Sequence, residues 1–182
     1  MNHFRRALGC LFLCSALIST SQLRAASHPE SSNDVVVYGA TASGAIAALA
    51  AAREGMHVVL LEPGNHVGGM LTGGLSATDV GNPNVIGGDA LEFFERVGRY
   101  YDLQQYDQQV SWRFEPHVGE EILRSMLKEA NVEVRFHERM REKDGVKKAA
   151  GQIASLTTED GDIWEAKVFI DATYEGDLMA AA

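Results

Sequence analysis

Residues 34–62 read DVVVYGATASGAIAALAAAREGMHVVLLE, and this stretch predicts the fold class. Residues 35–38 form a continuous β-branched and aromatic run, as expected for a parallel strand buried on both faces. Residues 43–54 are rich in alanine and predict a helix that packs closely on a sheet, and residues 57–61 form a second apolar strand. Together they make a βαβ unit, whose right-handed crossover places the start of the helix beside the end of the first strand.

The turn of this unit, GATASG, matches the dinucleotide-binding fingerprint at two of its three glycine positions. Gly39 permits the tight turn, and Gly44 allows close contact between helix and strand. The backbone N–H groups around Ala42 and Ser43 begin the helix, where its dipole favours a bound pyrophosphate. Thr41 takes the middle glycine position, where it holds the ligand slightly farther away but adds a hydroxyl donor. An ordinary βα turn without a ligand is the alternative interpretation.

Glu62 follows the second strand, about 20 residues after the glycine turn, as the fingerprint requires. A carboxylate at this position accepts hydrogen bonds from both hydroxyls of an adenosine ribose and repels a 2′-phosphate. The sequence therefore favours FAD or NAD over NADP. A solvated charge at the end of a strand is the alternative.

The rest of the chain predicts a Rossmann-like α/β domain of three layers, built on a parallel sheet. A glycine-rich loop at 63–88 is longer than most connections, which favours a binding role. Helices are predicted at 89–101 and 116–130. The strands predicted for the parallel sheet are 35–38, 57–61, 132–136 and 163–170, and a β-meander that crosses the sheet is predicted to include 138–142 and 152–158.

Residues 1–26 predict an export signal. Arg5 and Arg6 form a basic region, residues 7–18 are apolar but too short to span a bilayer, and small residues follow where a signal peptidase cuts. Residues 27–33 predict a polar linker. We therefore expect an exported protein, periplasmic or extracellular, without stable membrane association after cleavage. A retained membrane anchor is the alternative, and the paired arginines leave twin-arginine and general secretory export both open.

The composition argues against several classes of site. Both cysteines, Cys10 and Cys14, lie in the predicted signal, so no thiolate site is expected in the mature chain. The histidines lack the spacing of a helical metal site, and we expect no metal. The net charge is −9, which disfavours binding to nucleic acid. A small-molecule substrate is the expected partner, and the oligomeric state stays open.

Several short motifs occur along the chain beyond the βαβ unit. They are Val36-Val37-Tyr38-Gly39, Leu61-Glu62-Pro63, His66-Val67-Gly68-Gly69-Met70, Thr72-Gly73-Gly74-Leu75, Phe114-Glu115-Pro116-His117 and Phe169-Ile170-Asp171-Ala172-Thr173-Tyr174-Glu175-Gly176-Asp177-Leu178. Together they resemble the bacterial FAD-dependent oxidoreductase family, which has a glutathione-reductase-like fold. The resemblance covers residues 34–182, and Thr41 is usual in this family. The block 171–178 is its most specific part.

The resemblance implies further site residues. Residues 68–70 would bring backbone close to the pyrophosphate and to the ribityl chain of the flavin, where a side chain would clash. Asp171 and Thr173 would end the returning strand beside the cofactor, with Tyr174 in place of the glycine that similar flavoproteins carry.

Two histidines have alternative interpretations. His66 is either a covalent flavin attachment point or an exposed loop residue. His117 is either a polar group that faces the cofactor or a solvated residue in the first turn of a helix.

The resemblance implies FAD as the cofactor and hydride transfer to the flavin from an unknown substrate. Similar proteins complete this domain with a segment that returns after an inserted substrate domain. We therefore expect residues 34–182 to be the N-terminal part of an FAD-binding domain, incomplete at its C-terminus and inactive alone, with no catalytic residue assigned. A truncated, non-catalytic dinucleotide-binding module is the alternative. Polysaccharide elimination, a third interpretation, lacks a matching set of Tyr, His and Arg.

Overall fold

The computed structural model describes residues 33–75 and 77–182, which form an α/β domain. Its elements are β1 (Asn33–Tyr38), α1 (Ala42–Arg53), β2 (Val58–Glu62), α2 (Gly88–Tyr100), α3 (Pro116–Glu129), β3 (Glu133–Phe136), β4 (Val146–Ala149), β5 (Gln152–Thr157), β6 (Ile163–Asp171) and α4 (Asp177–Ala181). The three predicted helices are confirmed to within one residue at each end. The predicted export signal lies outside the described residues, as does the predicted linker up to residue 32. No helix in the described part is long and apolar enough to cross a membrane.

A six-stranded sheet runs in the order β3-β2-β1-β6-β5-β4. β1 lies at the centre of its parallel part, where Val36 pairs with Val59 of β2 on one side and with Phe169 of β6 on the other. β2 pairs in parallel with β3. The predicted four-stranded parallel sheet is therefore confirmed, including the strand that returns late in the sequence.

The two faces of β1 and β2 belong to two different hydrophobic cores, and this produces three layers. One face packs against α1, α2 and α3 through Val35, Val37, Val58 and Leu60. The opposite face packs against Leu156, Trp164 and Leu178 through Val36, Tyr38, Val59 and Leu61. Because both faces are covered, residues 35–38 and 58–61 are continuously apolar rather than alternating.

β6 connects the meander to the parallel sheet. Its residues 163–165 pair antiparallel with β5, and residues 166–171 pair in parallel with β1. The strand thus leads from the meander to the carboxyl edge of the sheet, where it ends beside the turn that follows β1.

The predicted strand at 138–142 is wrong, because β4 lies later in the chain. Met140 forms only an isolated bridge, and its backbone N–H donates to the Tyr38 hydroxyl at 2.9 Å. Nearby, the buried Glu138 carboxylate accepts a hydrogen bond from the Trp164 indole at 3.0 Å. These two hydrogen bonds hold residues 138–142 against the face of the sheet that carries Tyr38 and Trp164. The segment therefore covers the second hydrophobic core and does not form a strand.

Candidate functional site

The candidate site lies at the carboxyl ends of β1, β2 and β6, where α1 begins. β1 lies between β2 and β6 in the sheet. The helix α1 connects β1 to β2 on one side, whereas β6, on the other side, comes from much later in the chain. Open α/β sheets bind ligands in the crevice that such a switch in strand order creates. Thr41 is the N-cap of α1. The first backbone N–H groups of the helix, which have no partner within a helix, therefore lie at this crevice.

Two glycines let the turn after β1 pack directly on the end of β6. Gly39 has a φ of +98°, and a Cβ at this residue would lie 3.0 Å from the backbone carbonyl carbon of Ala172. A Cβ at Gly44 would lie 2.0 Å from the carbonyl oxygen of Gly39 and 2.9 Å from the Cβ of Ala172. Both positions therefore need glycine for steric reasons within the fold, before any ligand is considered.

Thr41 is buried, and its hydroxyl is engaged by the fold. The hydroxyl donates to the carbonyl oxygen of Ala172 at 2.8 Å and accepts from the backbone N–H of Gly44 at 3.2 Å. The sequence suggested that this hydroxyl donates to a pyrophosphate, but in the structure its hydrogen already has an acceptor. An anion at the start of α1 would instead meet backbone N–H groups and the exposed side chain of Ser43.

The Glu62 carboxylate links the turn after β1 to the chain that follows β2. One of its oxygens accepts from the backbone N–H of Ala40 at 2.7 Å, and the other accepts from the N–H of Gly64 at 2.7 Å. An ionised carboxylate has about four acceptor sites, so each oxygen keeps capacity for another donor. Glu62 is half-buried at the crevice and can therefore also accept hydrogen bonds from ribose hydroxyls.

Residues 68–70 lie beside the turn that follows β1. Gly68 has a φ of +105°, and its N–H donates to the carbonyl oxygen of Ala40 at 2.7 Å. The N–H of Met70 donates to the Tyr174 hydroxyl at 2.7 Å. A Cβ at Gly69 would lie 2.1 Å from that hydroxyl oxygen. The space above Gly69 is therefore occupied by Tyr174.

Asp171 and Thr173 hold the turn between β6 and α4. One Asp171 oxygen accepts from the Thr173 hydroxyl at 2.7 Å and from the Thr173 N–H at 3.0 Å, and the other accepts from the N–H of Met179 at 2.8 Å. The Thr173 hydroxyl oxygen accepts from the N–H groups of Gly176 and Asp177. Burial by itself raises the pKa of Asp171, but the hydrogen bonds from Met179 and Thr173 outweigh it and lower the pKa below its ordinary 3.8.

Replacing Asp171 with asparagine is expected to lower the free energy of unfolding by about 1–3 kcal/mol at neutral pH, because the amide NH2 that replaces one oxygen cannot accept and the remaining carbonyl oxygen is a weaker acceptor. The folded-state pKa is lowered, so the stabilisation is complete above pH 3.8 and is lost as the pH falls through the folded-state pKa. Urea unfolding should therefore show a difference between the two proteins that shrinks below pH 3.8. A difference that does not depend on pH would contradict this role.

A cleft of about 360 Å³ opens at the start of α1. Ala42, Ser43, Met70, Thr78 and Tyr174 are among the residues that line it. The sequence did not mark Thr78 or Tyr174 as site residues. Tyr174 was visible as an unusual residue in the last motif, whereas no pattern distinguished Thr78. The Thr78 hydroxyl oxygen is buried and has no hydrogen-bond partner among the described residues.

Neither of the two histidines lines this cleft. His66 is largely exposed, and its Nδ1 lies 3.0 Å from a carboxylate oxygen of Glu120 on α3. His117 is the exposed second residue of α3. Within residues 33–75 and 77–182, no group of three or more His, Cys, Asp or Glu side chains is placed to hold a metal ion.

A comparison with protein families gives a match over the same part of the chain that the motifs cover. A family model described as FAD dependent oxidoreductase matches residues 34–182. None of the curated proteins matches this chain.

Several solved structures are similar to the chain. The bacillithiol disulfide reductase of Staphylococcus aureus aligns with a TM-score of 0.53 and 18% identity, over 79% of this chain and 39% of that one. The L-amino acid deaminase of Proteus vulgaris gives 0.51 and 16%, over 79% and 47%. A flavoprotein/dehydrogenase of Cytophaga hutchinsonii gives 0.52 and 14%, over 80% and 40%. Such identities show the fold alone, and the chain spans less than half the length of each of these proteins.

Proposed function

Because this chain belongs to the FAD-dependent oxidoreductase family, we propose that it binds FAD at the carboxyl ends of β1, β2 and β6. We propose further that it is the FAD-binding part of an oxidoreductase. The observation that carries the proposal is the start of α1, which opens into the crevice between β2 and β6 with the Glu62 carboxylate beside it. A helix start favours the two negative charges of a pyrophosphate. A carboxylate at the end of β2 favours an adenosine ribose without a 2′-phosphate.

The candidate residues divide into those that contact FAD and those that shape its site. We assign direct contacts to the backbone at Ala42 and Ser43, to the Glu62 carboxylate and to the backbone of residues 68–70. At residues 68–70 these contacts exclude the N–H groups of Gly68 and Met70, which already donate to Ala40 and Tyr174. A second group of residues shapes the site without contacting FAD, because their polar atoms or close packing hold the surrounding turns in place. They are Gly39, Thr41, Gly44, Asp171 and Thr173.

Two features of the described residues fit a bound dinucleotide. Ala42 and Ser43 line the cleft at the start of α1, where Gly39 and Gly44 allow the turn to pack tightly on β6. Thr78 lines the same cleft, and its buried hydroxyl lacks a hydrogen-bond partner among the described residues, so a polar ligand that reaches it would supply one.

When bound, FAD supplies an isoalloxazine ring that accepts a hydride. The start of α1 holds the pyrophosphate, and Glu62 orients the adenosine ribose. We propose that the hydride donor is a small molecule, since the acidic chain disfavours nucleic acid as a partner.

Titration of the purified full chain with FAD tests the proposal. We expect saturable binding with the yellow flavin absorbance, and no competition by NADP⁺, because Glu62 repels a 2′-phosphate. Failure to bind FAD would contradict the proposal. Reduction of the bound flavin by candidate donors then separates an oxidoreductase from a non-catalytic dinucleotide-binding module.

We also propose that residues 1–26 direct export and that residues 34–182 are the exported FAD-binding part. In cell fractionation, the chain should accumulate outside the cytoplasm with a mass that corresponds to cleavage near residue 26. Replacing Arg5 and Arg6 with lysines preserves the charge and removes the twin-arginine pair, so normal export of this variant would indicate the general secretory route. Retention of the uncleaved chain in the cytoplasm would contradict the signal.

A further inference from the structure

Two residues that line the cleft carry hydroxyl groups whose hydrogen-bonding capacity the described residues do not fully use. The Tyr174 hydroxyl accepts from the N–H of Met70, and this leaves its own hydrogen available for donation. The Thr78 hydroxyl is buried without a partner among the described residues. Buried hydroxyls are normally hydrogen-bonded, so an unpartnered one on a residue that lines a cleft points to a ligand that supplies the acceptor.

The position of Tyr174 is fixed although its side chain is 56% exposed. Its hydroxyl is held by Met70 and lies above Gly69, where only a residue without a side chain leaves room for it. The ring thereby lines the same cleft as Ala42 and Ser43 at the start of α1. A hydrogen-bond donor is thus fixed beside the place where an anion would bind.

Thr78 reaches the cleft from a different part of the chain. Its backbone N–H donates to the carbonyl oxygen of Trp112 at 2.8 Å, and the adjacent Ala77 bridges Arg113. These backbone contacts fasten the segment that carries the hydroxyl. The two hydroxyls are therefore held by independent elements, and each is positioned by backbone hydrogen bonds.

We propose that the hydroxyls of Tyr174 and Thr78 both donate hydrogen bonds to phosphate or ribityl oxygens of FAD and set the position of the cofactor in the cleft. The inference rests on the proposed function. The oxygens of a pyrophosphate and a polyol accept such bonds, and donors in a partly desolvated cleft stabilise them more than water does. Neither residue takes part in hydride transfer, so both act in binding.

Thr78→Val provides the sharpest test, because valine has nearly the shape of threonine and lacks the hydroxyl. The variant loses no internal hydrogen bond that the described residues show, so the apoprotein should unfold at the same temperature as the wild type or higher. Its FAD dissociation constant should rise about tenfold, the loss of one hydrogen bond to a charged or polar acceptor. A purely structural role would give the opposite pattern, with lower stability and unchanged affinity.

Tyr174→Phe should also raise the FAD dissociation constant about tenfold, measured by quenching of flavin fluorescence. Tyr100→Phe is the matched control, because Tyr100 is an exposed tyrosine on α2 outside the cleft. The loss of its hydroxyl should leave the affinity for FAD unchanged. If the wild type binds FAD and either cleft variant binds it equally well, the inference is overturned for that residue. If the wild type itself does not bind FAD, the proposed function fails first.

Discussion

Replacing Gly44 with alanine is expected to lower the free energy of unfolding by at least about 3 kcal/mol and to abolish FAD binding. The added Cβ would lie 2.0 Å from the carbonyl oxygen of Gly39, a contact between backbone atoms and a methyl group that no rotamer change relieves. The start of α1 would have to move away from β6, and the N–H groups that face the pyrophosphate would move with it. Urea unfolding and FAD titration measure the two effects.

Gly87→Ala is the matched control for this substitution. Gly87 precedes α2 with an ordinary φ of −146°, and a Cβ there would meet no atom within 4 Å. Its replacement should change the free energy of unfolding by less than about 1 kcal/mol. The steric interpretation fails if Gly44→Ala is no less stable than Gly87→Ala.

Replacing Glu62 with alanine is expected to reduce FAD binding by about 1–3 kcal/mol, through the loss of charge-assisted hydrogen bonds to the ribose. The same substitution should destabilise the apoprotein by about 2 kcal/mol, because the N–H groups of Ala40 and Gly64 lose their carboxylate acceptor. In Glu62→Gln, the amide oxygen can accept from only one of these two N–H groups, and the other faces an NH2 donor. This variant should therefore lose both stability and FAD affinity, each by less than Glu62→Ala loses.

Glu142→Ala controls for the loss of a negative charge, since Glu142 is exposed in the turn before β4. This substitution should change neither the free energy of FAD binding nor the free energy of unfolding by more than about 0.5 kcal/mol. Unchanged FAD affinity in Glu62→Ala would refute the assignment of Glu62 to the ribose. An unchanged urea midpoint would show instead that water replaces the carboxylate at the two N–H groups.

The parallel sheet could be predicted from the sequence because its central strands are continuous apolar runs, which are recognisable without any knowledge of their neighbours. Residues 35–38 of β1 and 58–61 of β2 are apolar on both faces of the sheet. The alanine-rich α1 between them then permits only a right-handed parallel crossover. β4 has no such signal, because its sequence VKKA is mostly exposed and forms a strand through pairing with β5. The segment 138–142 has one apolar residue, Met140, and that residue is buried in the second core rather than in a strand.

The candidate site could be predicted only in outline. The motifs identify which residues gather at the carboxyl edge, since each adjoins a predicted strand end. They do not reveal which polar atoms the fold already uses, because such bonds join distant parts of the chain. The Thr41 hydroxyl bonds Ala172, 131 positions away. The unpartnered hydroxyl of Thr78 depends in the same way on surroundings that no local pattern encodes.

The pairing of β1 with β6 also constrains how the chain reaches its native state during synthesis. β1 is translated early, yet its partner on one side emerges more than a hundred residues later, as the separation of Thr41 and Ala172 shows. At about 5–20 residues per second, the nascent βαβ unit waits for several seconds with an apolar strand edge unpaired. Such edges pair readily with other chains. Protection on the ribosome, rather than native stability alone, is therefore expected to govern the yield of folded protein.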